Sequence, residues 1–301
     1  MVHRVACATP LPPTRGVLTM IRKSLARLAV LAFTLLPAWM GAAAHAQDPI
    51  DLYPRAAAAY AVAIDDQTVW GRDLDKPRPP ASLTKLLSAL VILDSHWEPD
   101  ATVTVSAQAA HVEGSRIGLR TGDHVRAGDL LTGMIVRSGN DACMAMAEHV
   151  GGTVGHFVEL MNAKAQQLGM TQSAFRNPCG LDATGHVSTP RDLLLLARAA
   201  ADRPEIAVRA NSQRAEFRTL SGRRIRFKNT NAILGREPDV AGLKTGFTRQ
   251  AGKCLIAMAE HGAHRVWVVL LHSPDRWYAA TDLLAQGMAL AQSRAISSLN
   301  P

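Results

Sequence analysis

The stretch that decides the fold is "PRPPASLTKLLSALVILDSH", Pro77 to His96. From Ser82 to Leu93 it consists almost entirely of apolar helix formers, the pattern of a helix buried on most sides. Lys85 is the single charge in that run, one turn after Ser82. Positions i and i+3 share a helix face, so the amine reaches the hydroxyl. Serine is a poor nucleophile at neutral pH and needs a base. An ammonium withdrawn from water and crowded by another cation gives up its proton more readily. The head of a buried helix also offers free backbone N–H groups and the positive end of the dipole, which favour a developing oxyanion. The plainer alternative is a snorkelling Lys85 with Ser82 as a cap.

Two further motifs decide against the plainer alternative. Ser138-Gly139-Asn140 and Lys244-Thr245-Gly246 follow in that order. Each is weak alone, but together with Ser82-x-x-Lys85 at a helix head they point to a nucleophilic serine site, with Lys244 as the second cation.

Outward from this core the periods alternate. Residues 57–64 and 68–70 read as strands around "DDQ", and "TVTVSAQ" as another strand. "HVEGSRIGLRTGDHVRAG" reads as a Gly-rich loop. "AGDLLTGMIV", "NDACMAMAEHV" and "VGHFVELMNAKAQQLGM" read as helices, the last ending at Gly169. "STPRDLLLLARAAADRP" starts a helix with Ser188 or Thr189 as cap and Pro190 in the first turn. "RAEFRTLSGRRIRFKNTN" alternates around Ser221-Gly222, a hairpin pattern. "KCLIAMAE" and "HRVWVVLLHS" read as antiparallel strands joined by "HGA". "RWYAATDLLAQGMALAQS" reads as a helix that packs on the sheet, because Asp282 is the only charge between Arg276 and Arg294 and interfacial helices carry a basic face. Strands at both ends around a helical middle predict an α+β domain, an antiparallel sheet flanked by helices.

The first 46 residues differ. Arg22, Lys23 and Arg27 precede "LAVLAFTLLPAWM" and then small residues at Ala44 and Ala46, a secretory leader cleaved before Gln47, with Met20 as an alternative start. The alternative is an uncut membrane anchor, for which the apolar run is short. Residues 47–301 then form one catalytic domain. The whole chain carries a formal +8, but beyond residue 46 only 28 basic residues face 25 acidic ones, so charge gives no argument for a nucleic-acid partner. Arg223, Arg224, Arg226 and Lys228 cluster in the hairpin, a solvated face or an attraction for anionic wall polymer. Cys143, Cys179 and Cys254 read as buried thiols, with one disulfide among them as the alternative. The histidines lack ligand spacing, so neither a metal nor another cofactor is expected.

On these motifs the chain resembles the serine D-alanyl-D-alanine carboxypeptidases, the low-molecular-mass penicillin-binding proteins. "GSRIGL", "NPCGLD", "STPRDL", "FKNTN" and "GLKTGFTRQAGKCL" look like family segments in family order. The resemblance implies the two-lobed β-lactamase/transpeptidase-like fold. It also implies that Ser82 attacks the bond between two D-alanines of a peptidoglycan stem peptide, that Lys85 takes the proton, and that Ser138 relays one to the leaving amine. Asn140 would orient the substrate amide. Lys244 and Thr245 would hold the terminal carboxylate, with Gly246 completing the motif, and the N–H groups of Ser82 and Phe247 would form the oxyanion hole. β-Lactams would trap Ser82. The protein would be secreted, periplasmic or associated with the wall, without a stable anchor after leader cleavage. Three departures stand out. The second motif is Ser-Gly-Asn rather than Ser-Asp-Asn, which fits the peptidases better than the class A β-lactamases. Phe247 and Thr230 stand where many carboxypeptidases have His and some have Arg, and KTGFT followed by AGxCL is similar to the family's D,D-endopeptidases. The third is length: with about 55 residues after Lys244, the carboxy-terminal β domain and basic anchor helix of many relatives are not expected.

Overall fold

The computed structural model describes residues 49–235 and 239–299, which belong to one compact unit. The leader read at residues 1–46 lies outside the described residues.

A five-stranded antiparallel sheet forms the centre, in the order β2-β1-β9-β8-β7. These are β1 (Ala59–Ile64), β2 (Gln67–Arg72), β7 (Val240–Thr248), β8 (Gly252–His261) and β9 (His264–Ser273). The near-continuous apolar runs of β1, β8 and β9 follow from a sheet covered on both faces. Alternate residues divide cleanly between two cores. Ala59, Ala61, Ala63, Ile256, Met258, Trp267, Val269 and Leu271 face one. Tyr60, Val62, Ile64, Leu255, Ala257, Val266, Val268 and Leu270 face the other.

The second core is closed by α8 (Arg276–Leu299), through Ala279, Ala280, Leu283, Leu284 and Ala291. The sheet-packed helix expected from its charge-poor sequence is therefore observed. No helix among the described residues is long and apolar enough to cross a membrane. The first core is closed by α6 (Pro190–Ala201), whose start is capped by the Thr189 hydroxyl accepting from the Asp192 N–H, with Pro190 in its first turn.

Behind α6 lies a group of helices centred on α1 (Thr84–Asp94): α3 (Ala127–Val136), α4 (Asn140–Gly151) and α5 (Val154–Gln167). Residues Thr84 to Leu93 of α1 are buried without exception, so this helix has no solvent face. Each buried leucine or isoleucine contributes about 1.5–3 kcal/mol, so two or three of the many on α1 offset the several kcal/mol that a buried ion such as Lys85 costs. α5 ends as read, with Gly169 just beyond it at φ 77°.

The structure refines several boundaries. Ser82 lies in a 3-10 turn, Ala81–Leu83, and the α-helix proper starts at Thr84. The Gly-rich loop contains a short strand, β4 (His124–Arg126), paired with β3 (Thr102–Thr104). Two short helices, α2 (Ala107–His111) and α7 (Pro204–Asn211), had no clear sequence period. The basic hairpin is present as β5 (Arg214–Arg218) and β6 (Arg224–Lys228). Much of its charge is paired, Arg224 and Arg226 with Glu216 and Arg223 with Asp123.

Candidate active site

The three motifs meet where β7, an outer strand of the sheet, passes the turn that precedes α1. Gly246 permits this approach. A Cβ there would stand 3.0 Å from the Ala81 Cβ and 3.1 Å from the Ser82 nitrogen, tighter than side chains ordinarily tolerate. The Lys244-Thr245-Gly246 motif is therefore held beside the serine by the absence of a side chain at its third position.

Ser82 is half-buried and does not cap the helix, because neither the 3-10 turn nor α1 has a side-chain cap. That removes the plainer reading of this serine. Lys85 is fully buried. Its Nζ donates to Ser82 Oγ at 3.1 Å, to Asn140 Oδ1 at 2.7 Å and to the Cys179 carbonyl at 2.6 Å. Three neutral acceptors thus take the three hydrogens of the ammonium. None of them is a carboxylate, so these bonds orient the amine without an ion pair.

Asn140 opens α4, and its amide is fixed at both ends. Oδ1 accepts from Lys85, while Nδ2 donates to the Glu113 carbonyl at 2.6 Å. Ser138 lies in the turn between α3 and α4, buried, with φ 61°. Ala81, immediately before Ser82, has φ 49°. Such left-handed backbone costs of order 1–3 kcal/mol per non-glycine residue and persists only where the surroundings over-determine it. Strain therefore sits at Ser138 itself and immediately before Ser82.

Lys244 is buried on β7. Burial pushes its amine well below the ordinary lysine value, and the nearby Lys85 and Arg276 cations push it further. Its Nζ donates to the Thr245 carbonyl at 3.0 Å. Thr245 Oγ1 lies 2.6 Å from Thr230 Oγ1. Lys244 thus stands near enough to Lys85 for the Lys85 charge to act on it. Phe247 differs from these buried groups in being 63% exposed.

Four supporting groups escaped the sequence. The Cys179 carbonyl is one. Asp141 is another; buried, it accepts from the N–H groups of Ile117, Gly118 and Leu119 at 2.9–3.0 Å and so ties the loop between α2 and β4 to the start of α4. An acidic residue in a first helical turn was the available signal. Arg276 Nη1 donates to the Gly246 carbonyl at 2.7 Å and to that of Cys254 at 3.2 Å, pinning the motif strand. His186 lies 2.9 Å from Thr84 Oγ1, which in turn donates to the Ala81 carbonyl at 2.8 Å. Burial pushes this imidazole down to about 4, with the Arg176 charge adding to the effect. His186 Nδ1 accepts from the Arg176 N–H, so Nε2 carries the proton toward Thr84. Among the described residues no three His, Cys, Asp or Glu side chains stand together as metal ligands.

A serine with a buried lysine one turn away, a Ser-x-Asn turn and a Lys-Thr-Gly strand can carry acyl transfer. The chain is 32% identical over 208 residues to the D-alanyl-D-alanine carboxypeptidase DacF of Bacillus subtilis, covering 68% of this chain and 54% of DacF. It therefore spans about half the length of that relative. It is 32% identical over 210 residues to the D-alanyl-D-alanine endopeptidase of Escherichia coli, covering 67% of each. The crystal structure of the Streptomyces K15 DD-transpeptidase superposes with a TM-score of 0.74 at 28% identity, over 78% of this chain and 97% of that one. The family model for D-alanyl-D-alanine carboxypeptidases matches residues 44–275, the whole span from before β1 to the end of β9. The chain accordingly belongs to the D-alanyl-D-alanine carboxypeptidase family, peptidase family S11.

Proposed function

We propose that this protein is an exported serine D,D-peptidase that removes the terminal D-alanine from peptidoglycan stem peptides through an acyl-enzyme. The observation that carries the reading is the Lys85 amine, buried and bonded to Ser82 Oγ at 3.1 Å. Ser82 Oγ attacks the carbonyl between the two D-alanines, and its proton passes to Lys85. The N–H groups of Ser82 and Phe247 stabilise the oxyanion. Collapse of the tetrahedral intermediate expels D-alanine, whose amine takes a proton relayed by Ser138, while Asn140 orients the substrate amide. Lys244 and Thr245 hold the terminal carboxylate. Water then attacks the ester and frees Ser82. A β-lactam enters by the same attack and leaves a ring-opened acyl group on Ser82. The leader at residues 1–46 would deliver the enzyme to the cell wall.

A second reading, endopeptidase cleavage of stem-peptide cross-links, draws support from KTGFT followed by AGKCL and from the Escherichia coli endopeptidase relative. The chemistry is the same; only the group on the amine side differs. Purified protein given a stem pentapeptide and cross-linked muropeptide dimers separates the two. Free D-alanine from the pentapeptide alone supports the carboxypeptidase, and monomers from the dimers support the endopeptidase. Neither product, from protein that a native melting transition shows to be folded, would overturn both.

A further inference from the structure

Cys143 Sγ lies 2.7 Å from Cys179 Sγ. That separation exceeds a disulfide bond by only about 0.7 Å. The two residues come from distant parts of the chain. Cys143 sits on α4, one turn after Asn140, and Cys179 lies in the segment between α5 and α6. Both side chains are buried.

Their positions matter because the same two segments hold Lys85, α4 through Asn140 Oδ1 and the other through the Cys179 carbonyl. Cys179 Sγ also stands 3.7 Å from the Asn140 carbonyl. A covalent link between the sulfurs would fix the spacing of the two acceptors that aim the amine at Ser82. Nothing of this kind applies to Cys254, which is buried on β8 with its sulfur near backbone carbonyls.

We propose that Cys143 and Cys179 form a disulfide when the protein folds in an oxidising compartment, and that this cross-link is a positioning device for Lys85. The structure shows both as thiols, the reduced partner of that pair. Oxidation removes two protons and two electrons from the thiols and joins the sulfurs. The oxidant is a disulfide, either of a thiol–disulfide oxidoreductase or of a small molecule such as oxidised glutathione. One thiolate attacks it, giving a mixed disulfide and releasing a carrier thiol. The second thiolate displaces the other carrier sulfur as a thiol, so the oxidoreductase ends as a dithiol, or oxidised glutathione as two glutathione thiols. Because both sulfurs are buried in the folded protein, the exchange occurs before α4 docks against the Cys179 segment. Once formed, the bond is shielded from reductants.

The test compares the full chain refolded with oxidised and reduced glutathione against the same chain refolded under strong reductant. Free thiols are alkylated under denaturing conditions, and the digest is mapped by mass. The expected result is a peptide pair joining Cys143 to Cys179, lighter by two hydrogens, with Cys254 alkylated. The oxidised form is expected to melt about 10 °C higher. Its acylation rate constant with a fluorescent penicillin is expected to exceed that of the reduced form by about tenfold or more, with the preceding non-covalent binding unchanged. If refolding fails, protein recovered from an oxidising periplasm and alkylated on lysis gives the same map. Alkylation of both Cys143 and Cys179 after oxidative folding overturns the cross-link. A cross-link with identical acylation in both forms overturns its positioning role. If neither form is acylated, the peptidase reading fails, and the peptide map still decides the cross-link.

Discussion

A Cβ on Gly180 would stand 1.9 Å from the carbonyl oxygen of Ala81. The segment that carries the Cys179 carbonyl is thus pressed against the backbone of the serine turn, with Gly180 at φ 79°. Asn177 Oδ1 accepts from the N–H groups of Gly180 and Leu181 at 2.8 and 3.0 Å, so the segment cannot relax outward freely. Gly180→Ala is expected to destabilise the protein by about 3 kcal/mol, from backbone clash and left-handed strain together. Acylation by penicillin should fall further than the folded fraction does, because the clash moves both Ser82 and the carbonyl that aims Lys85. Urea unfolding and acylation kinetics on the same preparation check this, and an unperturbed variant would refute the close approach.

Lys85→Met separates catalysis from folding. Methionine is apolar and of similar length, so it relieves the burial of a charge, worth several kcal/mol, while leaving Asn140 Oδ1 and the Cys179 carbonyl each without a donor at about 1–3 kcal/mol. The opposing changes leave stability within about 2 kcal/mol of the parent. Acylation should nevertheless drop by about 10²–10⁴-fold, the usual contribution of a positioned base. Ser82→Ala should form no covalent penicillin adduct at all. Stopped-flow acylation and mass spectrometry of the adduct measure both outcomes.

The contrast between side chains and backbone explains what was legible in the sequence. Ser82, Lys85, Asn140 and the Lys244 motif announce themselves because reactive side chains must have particular identities. The Cys179 carbonyl could not be read, since every residue has a carbonyl and only tertiary structure selects one. Arg276 was equally hidden. Its bond to the Gly246 carbonyl depends on how the start of α8 meets β7, about thirty residues away in sequence, and no local period encodes that. The apolar runs of β1, β8 and β9 gave strands, whereas their division between two cores followed only once helices were seen on both faces. Within "GLKTGFT", two glycines and a lysine dilute the strand signal of β7, although this strand carries part of the site.

His186 should make stability fall in mild acid. Its folded-state value is about 4, against 6.5 for the free side chain. As pH drops below 6.5 the unfolded chain takes up a proton that the folded protein refuses until pH 4. Stability is therefore complete above that window and is lost through it, by at most about 3 kcal/mol. Protonation would also forfeit the bond that Nδ1 accepts from the Arg176 N–H, and disturb the path through Thr84 to the Ala81 carbonyl. His186→Asn keeps an acceptor for Arg176 but does not titrate. Urea melts between pH 4 and 7 should show a flatter profile for this variant, and parallel profiles would refute the assignment.

Lys244 offers a test of the carboxylate subsite that needs no turnover. Burial, with Lys85 and Arg276 nearby, holds its amine well below the ordinary lysine value, so the folded protein binds fewer protons there than the unfolded chain. From the folded-state value up to about 10.4, stability should accordingly rise with pH. A substrate carboxylate placed against Lys244 acts in the opposite sense, favouring the ammonium and raising its pKa. Binding should then draw protons from solution, most strongly in the alkaline part of that window. The measurement uses Ser82→Ala, which cannot form an acyl-enzyme, saturated with an acyl-D-alanyl-D-alanine peptide in weakly buffered solution containing a pH indicator. Net uptake of protons on binding is expected within that window, and none for the same variant carrying Lys244→Met. Binding without uptake anywhere in that window would mean that the carboxylate does not sit against this lysine.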